Sequence, residues 1–152
     1  MEQNVKHYMP MSLIDKIKSI AEASVPSYAF EFETSKMMNA RADDRPYPMV
    51  FLEEYPSQDG RYLLKYGLKK AVTVELSFMR LADRENFQGD AIDRERIREQ
   101  IEEEAVLPFI DAFNTSGLFE PIEEFRVTPE PPRFDASAVS ILLIFEARWK
   151  IC

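Results

Sequence analysis

The stretch Ala136–Cys152, ASAVSILLIFEARWKIC, decides the fold class. Its apolar residues fall on alternate positions: Val139, Ile141, Leu143, Phe145, Ala147, Trp149 and Ile151. A period of two places one set of side chains on one face of an extended chain, so the spacing predicts a long β-strand over 136–151. Fully extended, such a strand spans roughly 50 Å at about 3.3 Å per residue. Its two halves differ. Leu142 and Ile144 make Ala138 to Phe145 apolar on both faces, the pattern of a strand buried between layers. Beyond it, Glu146, Arg148 and Lys150 alternate with Ala147, Trp149 and Ile151, which suggests a strand end running past its own domain towards a neighbour.

Working outward, Ala71 to Met79 repeats the alternation: Val72, Val74, Leu76 and Phe78 against Thr73, Glu75 and Ser77. One face is greasy and one is wet, as in an antiparallel sheet with helices on one side. Tyr28, Phe30 and Phe32 mark an earlier strand, and Tyr47–Leu52 another, with Pro48 suiting an edge position. Tyr62–Lys69 reads as a hairpin arm. Lys65, Lys69 and Lys70 read as edge protection against mispairing. Thr34 to Pro46 has no period and reads as a long loop.

A first helix is expected over 12–25, with Ser12 as N-cap, Leu13, Ile17 and Ile20 on one face, and Pro26 as its stop. The main helix is expected over 90–114. Ile97, Ile101, Ala105, Pro108 and Ala112 form its apolar stripe, Pro108 kinks it, and Asn114 to Gly117 close it. The sequon Asn114-Thr115-Ser116 therefore reads as a helix-ending turn. A short element carries Phe119, Ile122, Phe125 and Val127, and Thr128–Arg133 is a proline-rich connector. The expected architecture is a single α+β domain over 1–152: a mainly antiparallel sheet with helices packed on one face, a two-layer sandwich.

Composition narrows the function. The chain has 152 residues and a net charge of −8, which disfavours contact with nucleic-acid phosphates. Only 4 glycines are present, too few and too scattered for a phosphate-cradling loop. No stretch reads as a membrane span or a signal peptide, so no membrane partner is expected. The only histidine, His7, and the only cysteine, Cys152, lie at opposite chain ends, where a nucleophilic pair or a zinc site is hard to build. Asp43-Asp44, Glu53-Glu54 and Glu102-Glu103-Glu104 read as solvated or loop-internal carboxylates. The expectation is a non-enzymatic chain with no cofactor and no metal.

The residues that stand out instead suit contacts between proteins. Met37 and Met38 are adaptable apolar groups in a loop, flanked by Arg41 and Arg45. Arg94, Arg98 and Glu102 mark the charged helix face, and Arg148 and Trp149 the strand end. These nine residues are the expected subunit interface.

The order of elements from Tyr47 to Cys152 resembles that of tail-completion or tail-terminator proteins of tailed bacteriophages and prophages. The matching stretches are YPMVFL, KKAVTVELSFM, DAIDRERIREQIEEEAVLPFIDAF and FDASAVSILLIFEARWKI. The resemblance implies a non-enzymatic virion protein, assembled in the host cytoplasm. It implies a self-associating ring, often a hexamer, between the tail tube and the head-connector proteins, with sheets lining a lumen through which DNA passes without specific binding. The first helix and the Thr34–Pro46 loop are not needed by that pattern, which leaves another neck or baseplate component as an alternative. Two further classes stay open. One is a ligand-binding or enzyme domain with a pocket lined by Tyr28, Phe30 and Phe78 around a buried Glu75. The other is an adaptor that binds through the Met37–Arg45 loop.

Overall fold

The computed structural model describes residues 10–33, 47–53, 60–65, 67–81, 91–130 and 138–151. Its elements in chain order are α1 (Pro10–Ser24), β1 (Ala29–Glu33), β2 (Met49–Glu53), β3 (Gly60–Leu63), β4 (Lys69–Leu81), α2 (Ala91–Ile101), a π turn (Glu102–Val106), α3 (Leu107–Thr115), β5 (Arg126–Glu130) and β6 (Ala138–Lys150). The six strands form one sheet: five run in the order β1-β2-β4-β6-β5, β3 pairs with β4 off this path, and only β1 and β2 run parallel. The expected α+β sandwich is therefore the fold.

The sheet is organised by β4 and β6. Each is 13 residues long, and they pair antiparallel from Lys69 opposite Lys150 to Leu81 opposite Ala138. This register sets Val74 beside Phe145, Leu76 beside Leu143 and Phe78 beside Ile141, so the two apolar sets share one face. All six are buried. Opposite β6, the other edge of β4 is shared: β2 takes Leu76–Met79 and β3 takes Lys69–Val72.

Both helical segments cover the same face. Ile17, Ile20 and Ala21 of α1, and Ile101, Ala105, Val106, Phe109, Ile110 and Phe113 of the main helix, join the sheet in one apolar cluster. Aromatic rings run through it. Phe109 lies 6.1 Å from Phe78, Phe113 and Phe145, and Phe113 stacks on Phe119 at 4.6 Å. Full burial of a side chain this size contributes roughly 1.5–3 kcal/mol. The opposite face carries a smaller cluster of Met49, Phe51 and Met79.

The main helix handles Pro108 with a π turn. The Leu107 N–H donates to the Glu102 carbonyl, five residues back. The ladder thus opens just before a residue that can neither donate nor sit tightly against the carbonyl four residues earlier. The turn also shifts the buried stripe. Positions four apart from Ile97 to Phe113 drift by about 160° around an ideal helix. One π turn takes in roughly an extra residue and offsets about 100° of that drift. The stripe therefore continues through Phe109 and Phe113, while Pro108 and Ala112 are only half-buried.

Several expectations are corrected. Helix α1 begins at Pro10, so Ser12 lies inside it instead of capping it. Pro48 follows a cis peptide bond and precedes a strand that is interior, between β1 and β4. Lys69 and Lys70 lie in a strand paired on both sides, so they guard no edge. Strand β3 folds back on β4, not on β2. Thr128, Pro129 and Glu130 belong to β5 and not to a connector. Leu142 and Ile144 are half-buried on the face opposite the helices, so they are not enclosed as expected, although Ser140 on the same face is buried. Nor does β6 run beyond its own sheet: every residue to Lys150 has a partner in β4. The long loop 34–46 lies outside the described residues.

Replacing Phe109 by Ala removes the ring shared by Phe78, Phe113 and Phe145. Chemical denaturation should show a loss of about 3–5 kcal/mol, with little change in slope. A loss below about 1 kcal/mol would contradict this packing.

Candidate functional site

Of the nine expected interface residues, Met37, Met38, Arg41 and Arg45 lie outside the described residues. The other five fall in two groups at opposite ends of β4. Arg94 and Arg98 lie on α2, and Glu102 opens the π turn. The neighbouring Glu104 holds this turn to Arg80, near the Leu81 end of β4. Arg148 and Trp149 lie beside Ala71 and Lys70, near its other end. Within each group the geometry differs from a single patch. Arg98 donates from Nε and Nη2 to Glu95 Oε1 at 3.1 and 2.9 Å, while Glu102 is exposed. Arg148 points to the open sheet face, where it bonds Glu146 at 2.8 Å. Trp149 points to the helix face, edge-on to Phe119 at 5.8 Å.

Two constructions were not legible as sites. The first is a polar bracket at the π turn. The Tyr28 hydroxyl donates to Glu104 Oε2 at 2.5 Å, Arg80 Nη1 donates to the same oxygen at 2.9 Å, and Gln100 Nε2 reaches Oε1 at 3.2 Å. This carboxylate joins the α1–β1 connection, the end of β4 and the main helix. Burial pushes the Tyr28 phenol well above its ordinary pKa, the hydrogen bond and charge of Glu104 push it further, and Arg80 opposes them. In the sequence, Glu104 looks like one more solvated carboxylate. The only clue was the spacing of four in the apolar stripe around Pro108.

The second is a strap, residues 116–125, that carries the chain from α3 to β5 past the outer edge of β6. Helix α3 ends at Thr115, and Gly117 follows with a φ of +76°, a left-handed position that favours glycine. Asn114 then clamps the strap from both sides. Its Nδ2 donates to the Ile122 carbonyl at 3.2 Å, and its Oδ1 accepts from the Ile122 N–H at 2.6 Å. The Glu120 N–H donates to the Arg148 carbonyl at 2.9 Å. A hollow of about 440 Å³ lies between strap and sheet, bordered by Lys69, Glu120, Glu123, Glu124, Glu146 and Arg148. Lys69 pairs with Glu120 at 2.5 Å, and Arg61 and Arg148 both pair with Glu146. Burial raises the Glu146 pKa, but the two guanidiniums outweigh it and hold the carboxyl below its ordinary value.

The pocket expected of a ligand-binding domain is not assembled. Tyr28 and Phe78 are buried in the core, whereas Glu75 stands beside Ile144 on the opposite face from Phe78. Among the described residues no group of three or more His, Cys, Asp or Glu side chains could hold a metal ion, and no helix is long and apolar enough to cross a membrane. No protein-family model matches the chain, and no curated protein matches it.

The bracket makes a pH-dependent contribution with a definite sign. A phenol whose pKa is raised by folding contributes stability that is full below its unfolded value near 10 and is lost as pH climbs towards the higher folded value. Tyr28→Phe should cost about 1 kcal/mol at pH 8 by urea denaturation. The gap from the parent protein should narrow as pH rises above about 10. Parallel stability curves from pH 8 to 11 would rule this out.

Proposed function

We propose that this chain is a non-enzymatic structural subunit of a phage or phage-like particle. It assembles with copies of itself into a ring at the tail-to-head junction, in the manner of a tail terminator or tail-completion protein. The observation that carries the reading is the asymmetry of the sandwich. Both helices cover one sheet face; on the other, Met49, Phe51 and Met79 are buried where β2 meets β4, while Leu142 and Ile144 stay half-buried along β6. A face of this kind suits a lumen wall or a contact with a neighbouring subunit.

The order of the paired elements supports the same reading. A short strand, a long central strand, an acidic-basic helix and a long closing strand run from Met49 to Lys150, and the last pairs with the central one along its whole length. On the face opposite the helices Glu75 and Arg126 flank Ile144, and the chain carries −8 overall. The net charge disfavours tight binding of DNA that passes through the ring. The tail tube and the head-connector proteins are the partners of this reading, and the virion is its location.

Light scattering after size exclusion, followed by negative-stain microscopy, tests it. The expected result is a closed ring, formed by the protein alone or on its tail tube. Leu142→Glu with Ile144→Glu should keep the monomer folded, since both side chains are outside the main core, and should impair joining to the tube. A monomer that persists at high concentration and in the presence of the tube would overturn the reading.

A further inference from the structure

A protein of net charge −8 would be expected to spread its cations among its carboxylates, yet this one gathers six of its 19 at one end of the sheet. Arg61, Lys65, Lys69, Lys70, Arg148 and Lys150 lie where β3, the start of β4 and the end of β6 come together, with Lys69, Arg148 and Lys150 on the open face and Lys70 beside Trp149 on the helix face. Lys69 stands directly opposite Lys150 in the ladder, and like charges so placed are destabilising. Glu146 is shared by Arg61 and Arg148, and Glu120 holds Lys69. Lys70 lies over the Tyr62 ring at 5.5 Å, and neither it nor Lys150 has a carboxylate partner among the described residues. Since β4 is paired on both sides here, protection of a sheet edge does not account for Lys69 and Lys70.

The complementary charge lies at the other end of the sheet. Glu95, Glu99, Glu102 and Glu103 are exposed on α2 and the π turn. Glu99, Glu102 and Glu103 hold no ion pair among the described residues, while Arg94, Arg96 and Arg98 on the same helix have partners of their own. The π turn is anchored by Glu104 to Arg80, and the run of β4 from Arg80 to Lys69 measures about 35 Å at about 3.3 Å per residue. That is several times the screening length of about 8–10 Å in ordinary buffers, so the two poles cannot neutralise each other within one chain. Each pole also shows large apolar side chains to solvent. Tyr62 and Leu64 are 59% and 77% exposed at the basic end, and Leu107 is 45% exposed one turn beyond Glu103.

We infer that the basic end of the sheet docks on the acidic helix of a second copy of this chain, making one head-to-tail interface. The inference rests on the ring reading and deepens it. Like poles repel, which disfavours a two-fold dimer built on either pole, whereas a head-to-tail contact repeats and closes into a ring when its rotation allows. Leu107 of one copy against Tyr62 and Leu64 of the next supplies the apolar centre, with the charges around it.

The test is charge reversal followed by rescue, read by sedimentation velocity. Lys70→Glu with Lys150→Glu makes both poles acidic, and Glu102→Lys with Glu103→Lys makes both basic. Each pair should weaken self-association at least about tenfold. Mixing the two variants, or combining all four changes in one chain, should restore it. Raising the salt to about 1 M, where screening falls to about 3 Å, should dissociate the parent assembly. Circular dichroism melts check folding, and Lys70→Gln with Lys150→Gln replaces the reversal should it fail to fold. An assembly untouched by either variant, or a mixture no better than its folded parts, overturns the inference and leaves the ring reading standing. A rescued open filament keeps the interface and overturns the ring. A monomer under every condition overturns both.

Discussion

The structure depends on one pairing, the register of β4 against β6. A shift by a single residue would turn Val74, Leu76 and Phe78 away from the helices and bring Glu75 and Ser77 into the core. Every other element takes its place from this ribbon. Strands β2 and β3 divide one of its edges and β5 takes part of the other, while the helices lie across the face where Phe145, Leu143 and Ile141 meet their partners. Because the two strands are equally long, neither leaves a free end to reach a neighbour.

The main helix must fit this ribbon over most of its length, and an unbroken α-helix would rotate its apolar stripe away. The π turn at Glu102–Val106 corrects the phase at the point where Pro108 already forbids a regular ladder. It also presents Glu104 to Tyr28 and Arg80, tying three parts of the chain through one carboxylate. One local departure from regular geometry thus settles both packing and the placement of a polar bracket. It also leaves Glu102 and Glu103 on the outside, where they contribute to the acidic pole.

Charge is distributed in the same spirit. The net acidity in the composition says nothing of where cations gather. Two of the three lysines that read as edge protection stand in an interior strand, and the third lies just beyond the β3 that pairs with it. The helix residues and the strand-end residues singled out as one interface lie at opposite ends of β4. In a head-to-tail assembly they become the two sides of a single contact, which joins these readings without placing them on one patch.

Much of the architecture follows from the sequence alone. Alternation is a local property, so β4, β6 and the residues each turns to the helices could be read directly, as could the helix stop at Asn114–Gly117; that Ser77, on the face expected to be wet, is buried could not. Local pattern does not say which strand pairs with which, because pairing is settled by what closes the core with least exposed surface. The interior place of β2, the return of β3 onto β4 and the strand in Thr128–Glu130 were decided only in three dimensions. So were the π turn, which answers to the fit between helix and ribbon, and the separation of Arg148 from Trp149 onto opposite faces, which follows from the pleat.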